Sequence, residues 1–194
     1  MRRADPWLER WLPLIAAQAP SPRLLELGCG EGRDTRTLLE QGFEHLTALD
    51  LSADAVTRCQ QLSGNLRCLV HDLRRPLPFK DEVYDVVLAS LCLHYFPWPE
   101  TVAAADEIRR VLVAGGLLLC RVNSTHDLHY GAVGHPELEP RLYQVGDGEK
   151  RFFSRADVIT LFEQGWHRVS EQELEIHRYA QPKFVWEVVL RKES

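Results

Sequence analysis

Two carboxylates and a run of glycines give the clearest indication of chemistry in this 194-residue chain. Glu26 lies two residues before the first of three alternating glycines, Gly28, Gly30 and Gly32. Glycines in such a turn adopt positive φ without a Cβ penalty and let the backbone approach a ligand closely. Asp50 follows further along the chain, where an acid can accept hydrogen bonds from two vicinal ribose hydroxyls. These residues predict a nucleoside-binding turn.

Strands and a helix are needed to position these residues. Leu24–Leu27 is an apolar run too short for a helix, which predicts a buried strand. A helix-like segment with Leu38 on its inner face follows, and Gly42 is placed to end it. A second strand over residues 45–49 then carries Asp50 at its tip. The stretch therefore predicts a βαβ unit.

The spacing of the glycines distinguishes between the possible nucleoside-containing cofactors. The dinucleotide fingerprint G-x-G-x-x-G places its third glycine at the helix and a pyrophosphate on the helix N-terminus. Here the third glycine comes one residue early, and Arg33 stands where that fingerprint has glycine. The pattern E-x-G-C-G-x-G-R closely resembles motif I of the class I S-adenosylmethionine-dependent methyltransferases. The resemblance implies S-adenosyl-L-methionine as cofactor. A dinucleotide enzyme and a structural glycine turn are the alternatives.

The resemblance also implies a set of cofactor-binding residues. It implies that Asp72, at the end of a third strand, accepts a hydrogen bond from the adenine amino group. It also implies that the backbone N–H of Leu73 donates to a ring nitrogen of the adenine. It further implies that Arg33 binds the carboxylate of the cofactor. A loop-capping carboxylate and a solvated arginine are the alternatives for Asp72 and Arg33. The full predicted set is Glu26, Gly28, Cys29, Gly30, Arg33, Asp50, Leu51, Asp72, Leu73, Ala89 and Ser90.

The segment after a fourth strand, over residues 85–89, is expected to face the transferred methyl group. In an open parallel sheet, ligands bind at the carboxyl ends of strands near the switch in strand order. His94 is the first candidate general base, since histidine titrates near neutral pH, and Tyr95 could orient the acceptor. A hydrogen-bonded wall residue is the alternative for His94. The segment resembles the small-molecule branch and lacks the Asn/Asp-Pro-Pro-Tyr/Phe of methyltransferases that modify base amines or glutamine.

Residues 123–151 lose any regular pattern and are rich in glycine, proline, histidine and charge. Irregular stretches of this length are unusual inside a domain unless they are functional or disordered. The prediction is a lid or substrate loop in which His126, His129 and Tyr130 contact the acceptor; a mobile surface loop is the alternative. His126 and His129 without cysteine support do not favour a metal site, and none is predicted.

The remaining elements predict the fold class. Residues 1–19 read as an N-terminal helical cap that starts at Asp5-Pro6 and restarts at Pro13. Ser52 and Ser154 are placed to cap helices, and a helix from Pro99 is expected to be closed by Gly115-Gly116. Two final strands, about 168–179 and 184–191, should pair antiparallel. The prediction is an α/β, three-layer Rossmann-like sandwich over residues 1–194, with a seven-stranded, mostly parallel sheet and an antiparallel C-terminal hairpin strand.

The composition of the chain disfavours several classes of function. The net charge of −5 disfavours a general nucleic-acid binder, and no apolar run approaches the ~20 residues of a membrane span. Five scattered cysteines without a C-x-x-C pair indicate reduced thiols and a cytoplasmic protein. The expected activity is in-line methyl transfer to a small-molecule acceptor. A methyltransferase acting on RNA or protein and a non-catalytic cofactor-binding protein are the alternatives. The sequence predicts no oligomeric state.

Overall fold

Helices and strands alternate along most of the chain. The computed structural model describes residues 6–177 and 179–194. Within them the α-helices are α1 (Leu12–Ala16), α2 (Arg33–Glu40), α3 (Ala53–Gln60), α4 (Trp98–Val111) and α5 (Arg155–Leu161). The strands are β1 (Leu24–Leu27), β2 (Leu46–Asp50), β3 (Arg67–Val70), β4 (Tyr84–Ser90), β5 (Leu112–Asn123), β6 (Glu137–Glu139), β7 (Leu142–Val145), β8 (Gly148–Arg151), β9 (Trp166–Ile176) and β10 (Lys183–Lys192). Short 3-10 turns cover Glu9–Trp11, Leu93–Tyr95 and Leu128–Tyr130.

Seven of the strands form one sheet in the order β3-β2-β1-β4-β5-β10-β9. β1 pairs in parallel with β2 on one side and with β4 on the other, so that Leu24 lies opposite both Leu46 and Val86. β4 and β5 are also parallel, whereas β10 is antiparallel to β5 and to β9. The predicted mostly parallel sheet with an antiparallel C-terminal hairpin is confirmed.

Helices cover both faces of this sheet because its central strands are apolar on both sides. All four residues of β1 are buried, as expected for a strand at the centre of a parallel sheet. One core joins Val87 of β4 to Ile108 of α4. A second core on the other face joins Val86 of β4 to Leu38 of α2 and Cys59 of α3. The predicted three-layer Rossmann-like sandwich is therefore confirmed.

Two helices start at the predicted caps. The Ser52 side chain accepts a hydrogen bond from the N–H of Ala55 at the start of α3. Ser154 and Asp157 form a reciprocal capping box at the start of α5. Both arrangements satisfy backbone N–H groups that the first turn of a helix leaves unpaired.

The predicted N-terminal cap is a 3-10 turn followed by one short helix. Its predicted first residue, Asp5, lies outside the described residues. Pro13 lies in the first turn of α1, where a helix tolerates proline, and no α-helix precedes it among the described residues. The indole N–H of Trp11 donates to the Glu187 carboxylate of β10 at 2.9 Å, and this bond attaches the N-terminal segment to the sheet.

Gly115-Gly116 does not close α4, and this prediction was wrong. α4 ends at Val111, and β5 begins at Leu112. A Cβ on Gly116 would lie 3.1 Å from the carbonyl oxygen of Asp85, so glycine here lets β5 approach β4 closely. The register between β4 and β5 shifts at this point, which is typical of a bulge. These glycines therefore lie within the β4–β5 region of the sheet and do not end α4.

Residues 123–151 contain regular structure, contrary to the prediction that they are irregular. β6, β7 and β8 form a second, three-stranded antiparallel sheet within them. A two-residue turn, Gly146-Asp147, joins β7 to β8, and such a turn is a hairpin signal. Each strand has only three or four residues, which is too few for an alternating pattern to stand out in the sequence.

Across residues 6–177 and 179–194, no helix combines the length and the apolar character that crossing a membrane requires. The same residues contain no group of three or more His, Cys, Asp or Glu side chains that could hold a metal ion.

Candidate active site

A groove runs along the carboxyl edge of the seven-stranded sheet, where β1, β2, β3 and β4 end. Parallel sheets bind their ligands at this edge. The groove has two halves that share Gly28, Leu91 and Tyr95. We name the half that contains Glu26 the Glu26 half, and its volume is about 380 Å³. The Asp50 half, which contains Asp50, has a volume of about 740 Å³. Both volumes suit small-molecule ligands.

The glycine turn after β1 lies between the two halves. Gly28, Gly30 and Gly32 have φ values of +67°, +54° and +74°. A Cβ on Gly28 would lie 2.4 Å from the Cβ of Cys92, so only glycine fits there. Nothing lies within 4 Å of a Cβ built on Gly30, which borders the groove. The turn therefore presents bare backbone to a ligand.

Leu91 holds a strained conformation beside this turn. Its φ of +59° lies in the left-handed region that a leucine rarely adopts. Its N–H donates to the carbonyl oxygen of Arg121 at 2.8 Å, and the residue lines both halves of the groove. Backbone strain of this kind concentrates at binding and active sites. No sequence signal marks Leu91.

Asp50, at the tip of β2, is oriented by two backbone donors. Its Oδ2 accepts a hydrogen bond from the N–H of Gly30 at 2.8 Å, and its Oδ1 accepts one from Ser52 at 2.9 Å. Each carboxylate oxygen retains a further acceptor site, because an ionised carboxylate offers about four. Leu51, which follows, is 64% exposed and lines the same half. The carboxylate is thus held ready for two neighbouring hydroxyls.

Asp72, which lines the Asp50 half, is paired with Arg74. The Arg74 guanidinium donates to both carboxylate oxygens, from Nη2 to Oδ2 at 2.6 Å and from Nε to Oδ1 at 3.0 Å. These bonds lower the pKa of Asp72 to about 2, so the carboxylate is ionised at neutral pH. Its Oδ1 also accepts from the backbone N–H of Arg74, which is the loop-capping role that the sequence left open. Leu73 lines the same half.

Glu26 is a buried carboxylate in the other half. It is 4% exposed and accepts a hydrogen bond from the Thr35 hydroxyl. Burial, and secondly the neighbouring Asp34, raise the pKa of Glu26 well above 4.5. Asp34 itself accepts from the indole N–H of Trp7 at 3.1 Å. An incoming cation would stabilise the ionised form of such a carboxyl. Arg33, the first residue of α2, lines the same half.

Ser90, at the end of β4, is held by a buried arginine. Its hydroxyl accepts from the Arg121 guanidinium, 3.0 Å from Nε and 2.9 Å from Nη2. Arg121 is fully buried in β5, and its guanidinium carbon lies 4.2 Å from the centroid of the Trp7 ring. Ser90 lines the Glu26 half, whereas Ala89 is fully buried within β4 and is not part of the lining.

His94 and Tyr95 lie in the 3-10 turn after β4, and both line the Glu26 half. Their ring centroids are 4.2 Å apart. His94 is 3% exposed, and its Nδ1 has no hydrogen-bond partner among the described residues. Burial, followed by the charges of Lys183 and Lys150, lowers the pKa of His94 well below 6.5. The imidazole is therefore neutral at neutral pH and is a weak base.

Of the three predicted acceptor residues, Tyr130 lines the groove and the two histidines do not. The His126 side chain is 69% exposed, and its Nδ1 lies 2.7 Å from a carboxylate oxygen of Glu173. His129 is exposed at the surface. Both histidines lie in the segment after β5, but the structure does not bring them into the groove.

Two lysines line the Glu26 half together with Tyr130. Lys183 of β10 donates to the buried Asp127 at 2.7 Å. Its ammonium nitrogen lies 5.0 Å and 5.8 Å from the ring centroids of Tyr130 and Tyr179. Lys150 of β8 also lines the Glu26 half. This lining therefore combines aromatic rings with positive charge.

Comparison with known proteins places this groove in a family. One family model covers the glycine turn, Asp50 and Asp72. Residues 24–116 match this family, which is a methyltransferase domain family.

Solved structures share the fold of this methyltransferase domain. An S-adenosylmethionine-dependent methyltransferase from Methanosarcina mazei matches with a TM-score of 0.77 and 17% identity, over 93% of this chain and 97% of that one. The 1,6-didemethyltoxoflavin-N1-methyltransferase of Burkholderia thailandensis, with bound 1,6-didemethyltoxoflavin and S-adenosylhomocysteine, matches with a TM-score of 0.72 and 20% identity, over 96% of this chain and 78% of that one. At these identities the similarity establishes the fold.

Two relatives of the methyltransferase domain are named for different acceptors. A malonyl-[acyl-carrier protein] O-methyltransferase of Halorhodospira halophila is 30% identical over 191 residues, which are 94% of this chain and 60% of that protein. A tRNA N(3)-cytidine methyltransferase of Gallus gallus is 27% identical over 150 residues, which are 72% of this chain and 40% of that protein. The chain thus spans less than two thirds of each relative.

The methyltransferase domain brings nearly all of the predicted cofactor-binding residues to one groove. Those that line it are Glu26, Gly28, Cys29, Gly30, Arg33, Asp50, Leu51, Asp72, Leu73 and Ser90. Sequence reasoning missed Leu91, Arg121, Lys150, Tyr179 and Lys183. Of these, only Arg121 had a signal, because an arginine inside the apolar run LLLCRV is rarely buried without a partner.

Proposed function

We propose that this chain transfers the methyl group of S-adenosyl-L-methionine to a small-molecule acceptor by in-line displacement. The observation that carries the proposal is a single groove in which Asp50 and Glu26 lie on opposite sides of a glycine turn. When bound, the cofactor supplies an electrophilic methyl group on a sulfonium. The contribution of the protein is to bind and orient both reactants and to exclude water.

The side chains of the groove fit this cofactor. Asp50 presents two oriented oxygens to the vicinal hydroxyls of the ribose. Asp72 is ionised and would accept from the adenine amino group. In the other half, Glu26 is a buried carboxyl that a cation would stabilise, and the ammonium of the methionine moiety supplies one. Arg33 would then meet the methionine carboxylate.

A small acceptor is favoured by the walls of the Glu26 half. Tyr95, Tyr130 and Tyr179 come from three separate segments and line it. The second sheet is fixed against this region by Arg151, whose guanidinium donates to the carbonyl oxygen of Phe96 at 3.1 Å. In this proposal residues 123–151 are a lid or substrate segment over the acceptor, within one methyltransferase domain. The net charge of −5 disfavours RNA.

A macromolecular acceptor is the second candidate, because one relative is named for tRNA. Radiolabelled S-adenosyl-L-methionine separates the two candidates when it is incubated with the protein and with metabolites, RNA or protein in separate reactions. Label in metabolites is the expected result. Label in RNA or protein alone would favour the macromolecular candidate, and cofactor binding without any transfer would indicate a non-catalytic binding protein.

The raised pKa of Glu26 predicts that cofactor affinity falls as the pH is lowered. Below that pKa the free protein holds Glu26 protonated, so the cofactor's ammonium must displace a proton. Above it the carboxylate is already ionised, and affinity should reach a plateau. Calorimetric titration with S-adenosylhomocysteine at a series of pH values from neutral downwards should show proton release that Glu26→Gln abolishes. An identical pH profile in Glu26→Gln would contradict the assignment.

His94→Ala should lower turnover and leave cofactor affinity nearly unchanged, because His94 lines the acceptor side of the groove. We expect kcat to fall by about 10- to 100-fold, because loss of the imidazole from the acceptor wall leaves the acceptor less well aligned with the methyl group. The exposed His45, before β2, provides the matched control in His45→Ala. His94→Gln distinguishes catalysis from folding, because it retains a polar side chain at this buried position. If both His94 variants only lose stability, His94 is a wall residue.

A further inference from the structure

Lys150 places a positive charge in the Glu26 half that no described residue neutralises. It is half-buried on β8 and lines the cavity. Within residues 6–177 and 179–194 its side chain forms neither a hydrogen bond nor an ion pair, and its backbone pairs with Tyr143 of β7. Lys183, on the same wall, is instead paired with Asp127 at 2.7 Å. A partly buried ammonium without a counter-ion is stabilised by an anionic ligand.

The carboxylates of this half come from a different part of the fold. Glu26, Glu31 and Asp34 all belong to β1, the glycine turn and the start of α2, the part of the groove that the cofactor's methionine end would occupy. Lys150 comes from β8 and stands beside Tyr130, Tyr179 and the buried His94 in the lining. The cofactor-binding segments therefore contribute these carboxylates together with Arg33, whereas Lys150 and Lys183 border the space left for the acceptor.

The acceptor side also lacks a strong base in the described structure. Its titratable lining groups are His94, the three tyrosines and the two lysines. Burial, followed by the charges of the two lysines, lowers the pKa of His94 well below 6.5, so the imidazole is neutral and weakly basic. These lining groups therefore include no strong base that could deprotonate an acceptor. A carboxylate reaches the site already ionised.

We propose, on the basis of the methyl transfer proposed above, that the acceptor is a small carboxylic acid that Lys150 holds through its negative charge, and that the product is a methyl ester. A carboxylate oxygen forms the new O–CH3 bond while the S–CH3 bond breaks, and the pair of electrons from that bond remains on sulfur. The sulfonium becomes a neutral thioether, and the carboxylate becomes a neutral ester. No proton is released.

The reaction brings opposite charges together and leaves neutral products, so a dry pocket favours it over the same reaction in water. Protonated amines would be repelled by Lys150, and alcohols would need a base. The positive wall therefore selects both the charge of the acceptor and its reactive group.

The chemistry of the product tests this inference. The protein is incubated with methyl-tritiated S-adenosyl-L-methionine and a metabolite extract that has been separated into anionic, neutral and cationic fractions. We expect label in the anionic fraction, and mild alkali should release it as volatile methanol because esters hydrolyse. Label in the other fractions, or alkali-stable label in the anionic fraction, would overturn the inference. Label in no fraction, despite cofactor binding, would contradict the proposed transferase function as well.

Lys150→Glu tests the role of the charge. We expect kcat/KM for the labelled acid to fall by about 100-fold, which corresponds to about 2.7 kcal/mol. The affinity for S-adenosylhomocysteine should change by less than about twofold. Saturation-transfer NMR signals of the same acid on the protein should also disappear, which reports binding independently of turnover. Lys80→Glu, at an exposed lysine before β4, is the matched control. A loss of cofactor affinity instead of acceptor affinity would assign Lys150 to the cofactor and overturn the inference.

Discussion

Gly28→Ala should lower the free energy of unfolding by about 2–5 kcal/mol. A left-handed φ costs a residue with a Cβ about 1–2 kcal/mol, and Gly28 has a φ of +67°. The new Cβ would also lie 2.4 Å from the Cβ of Cys92, and overpacking of this kind costs about 1–3 kcal/mol. Urea denaturation of the free protein measures the sum.

Gly30→Ala provides the matched control for this prediction. Its φ of +54° carries the same type of strain, but nothing lies within 4 Å of the added Cβ. It should therefore lose only about 1–2 kcal/mol. A double-mutant cycle with Cys92→Gly should recover part of the loss in Gly28→Ala, because the clashing atom is removed. Equal losses in Gly28→Ala and Gly30→Ala would show that the contact with Cys92 does not restrict the turn.

Asp50→Ala should weaken the binding of S-adenosylhomocysteine by about 1.5–3 kcal/mol, or roughly 10- to 150-fold. The reason is that hydrogen bonds to an ionised group are worth about this amount, and the substitution leaves the ribose hydroxyls without their acceptor. The backbone N–H groups of Gly30 and Ser52 lose their partner as well, so the turn becomes less ordered. Isothermal titration calorimetry measures the affinity, and thermal denaturation shows whether the variant is folded.

The exposed Asp54 in the first turn of α3 is the control for lost negative charge near the groove. Asp54→Ala should leave the affinity unchanged within about twofold, since long-range effects between exposed charges are weak at physiological salt. Asp50→Asn should lie between Asp50→Ala and the unsubstituted protein, because one acceptor oxygen remains. An Asp50→Ala variant that binds as tightly as the unsubstituted protein would remove Asp50 from the cofactor site.

The glycine turn and Asp50 could be predicted from the sequence, because local patterns determine their positions. The buried run Leu24–Leu27, the glycines after it and Asp50 at the tip of β2 all lie within one βαβ unit. Backbone strain, charge and hydrogen bonding in this unit depend mostly on residues close in sequence. The antiparallel hairpin of β9 and β10 was predictable for the same reason, since a short connection joins two long strands.

The residues proposed to border the acceptor could not be predicted, because they come from distant parts of the chain. Lys150 and Lys183 reach one wall only after the short strand β8 and the long strand β10 are placed, and neither lysine has a local pattern that marks it. His126 and His129 are conspicuous in the sequence, but both are exposed and neither lines the groove. Gly115-Gly116 matched a helix-ending pattern, and only the approach of β5 to β4 shows that the glycines form a bulge.

The central claim is that the glycine turn and Asp50 together hold the adenosyl end of a sulfonium methyl donor. The most direct test is calorimetric titration of the purified protein with S-adenosylhomocysteine, and in parallel with NAD⁺ and FAD. We predict one binding site for S-adenosylhomocysteine, weakened in Asp50→Ala, and no measurable binding of the two dinucleotides. Binding of NAD⁺ or FAD with no response to S-adenosylhomocysteine would contradict the account.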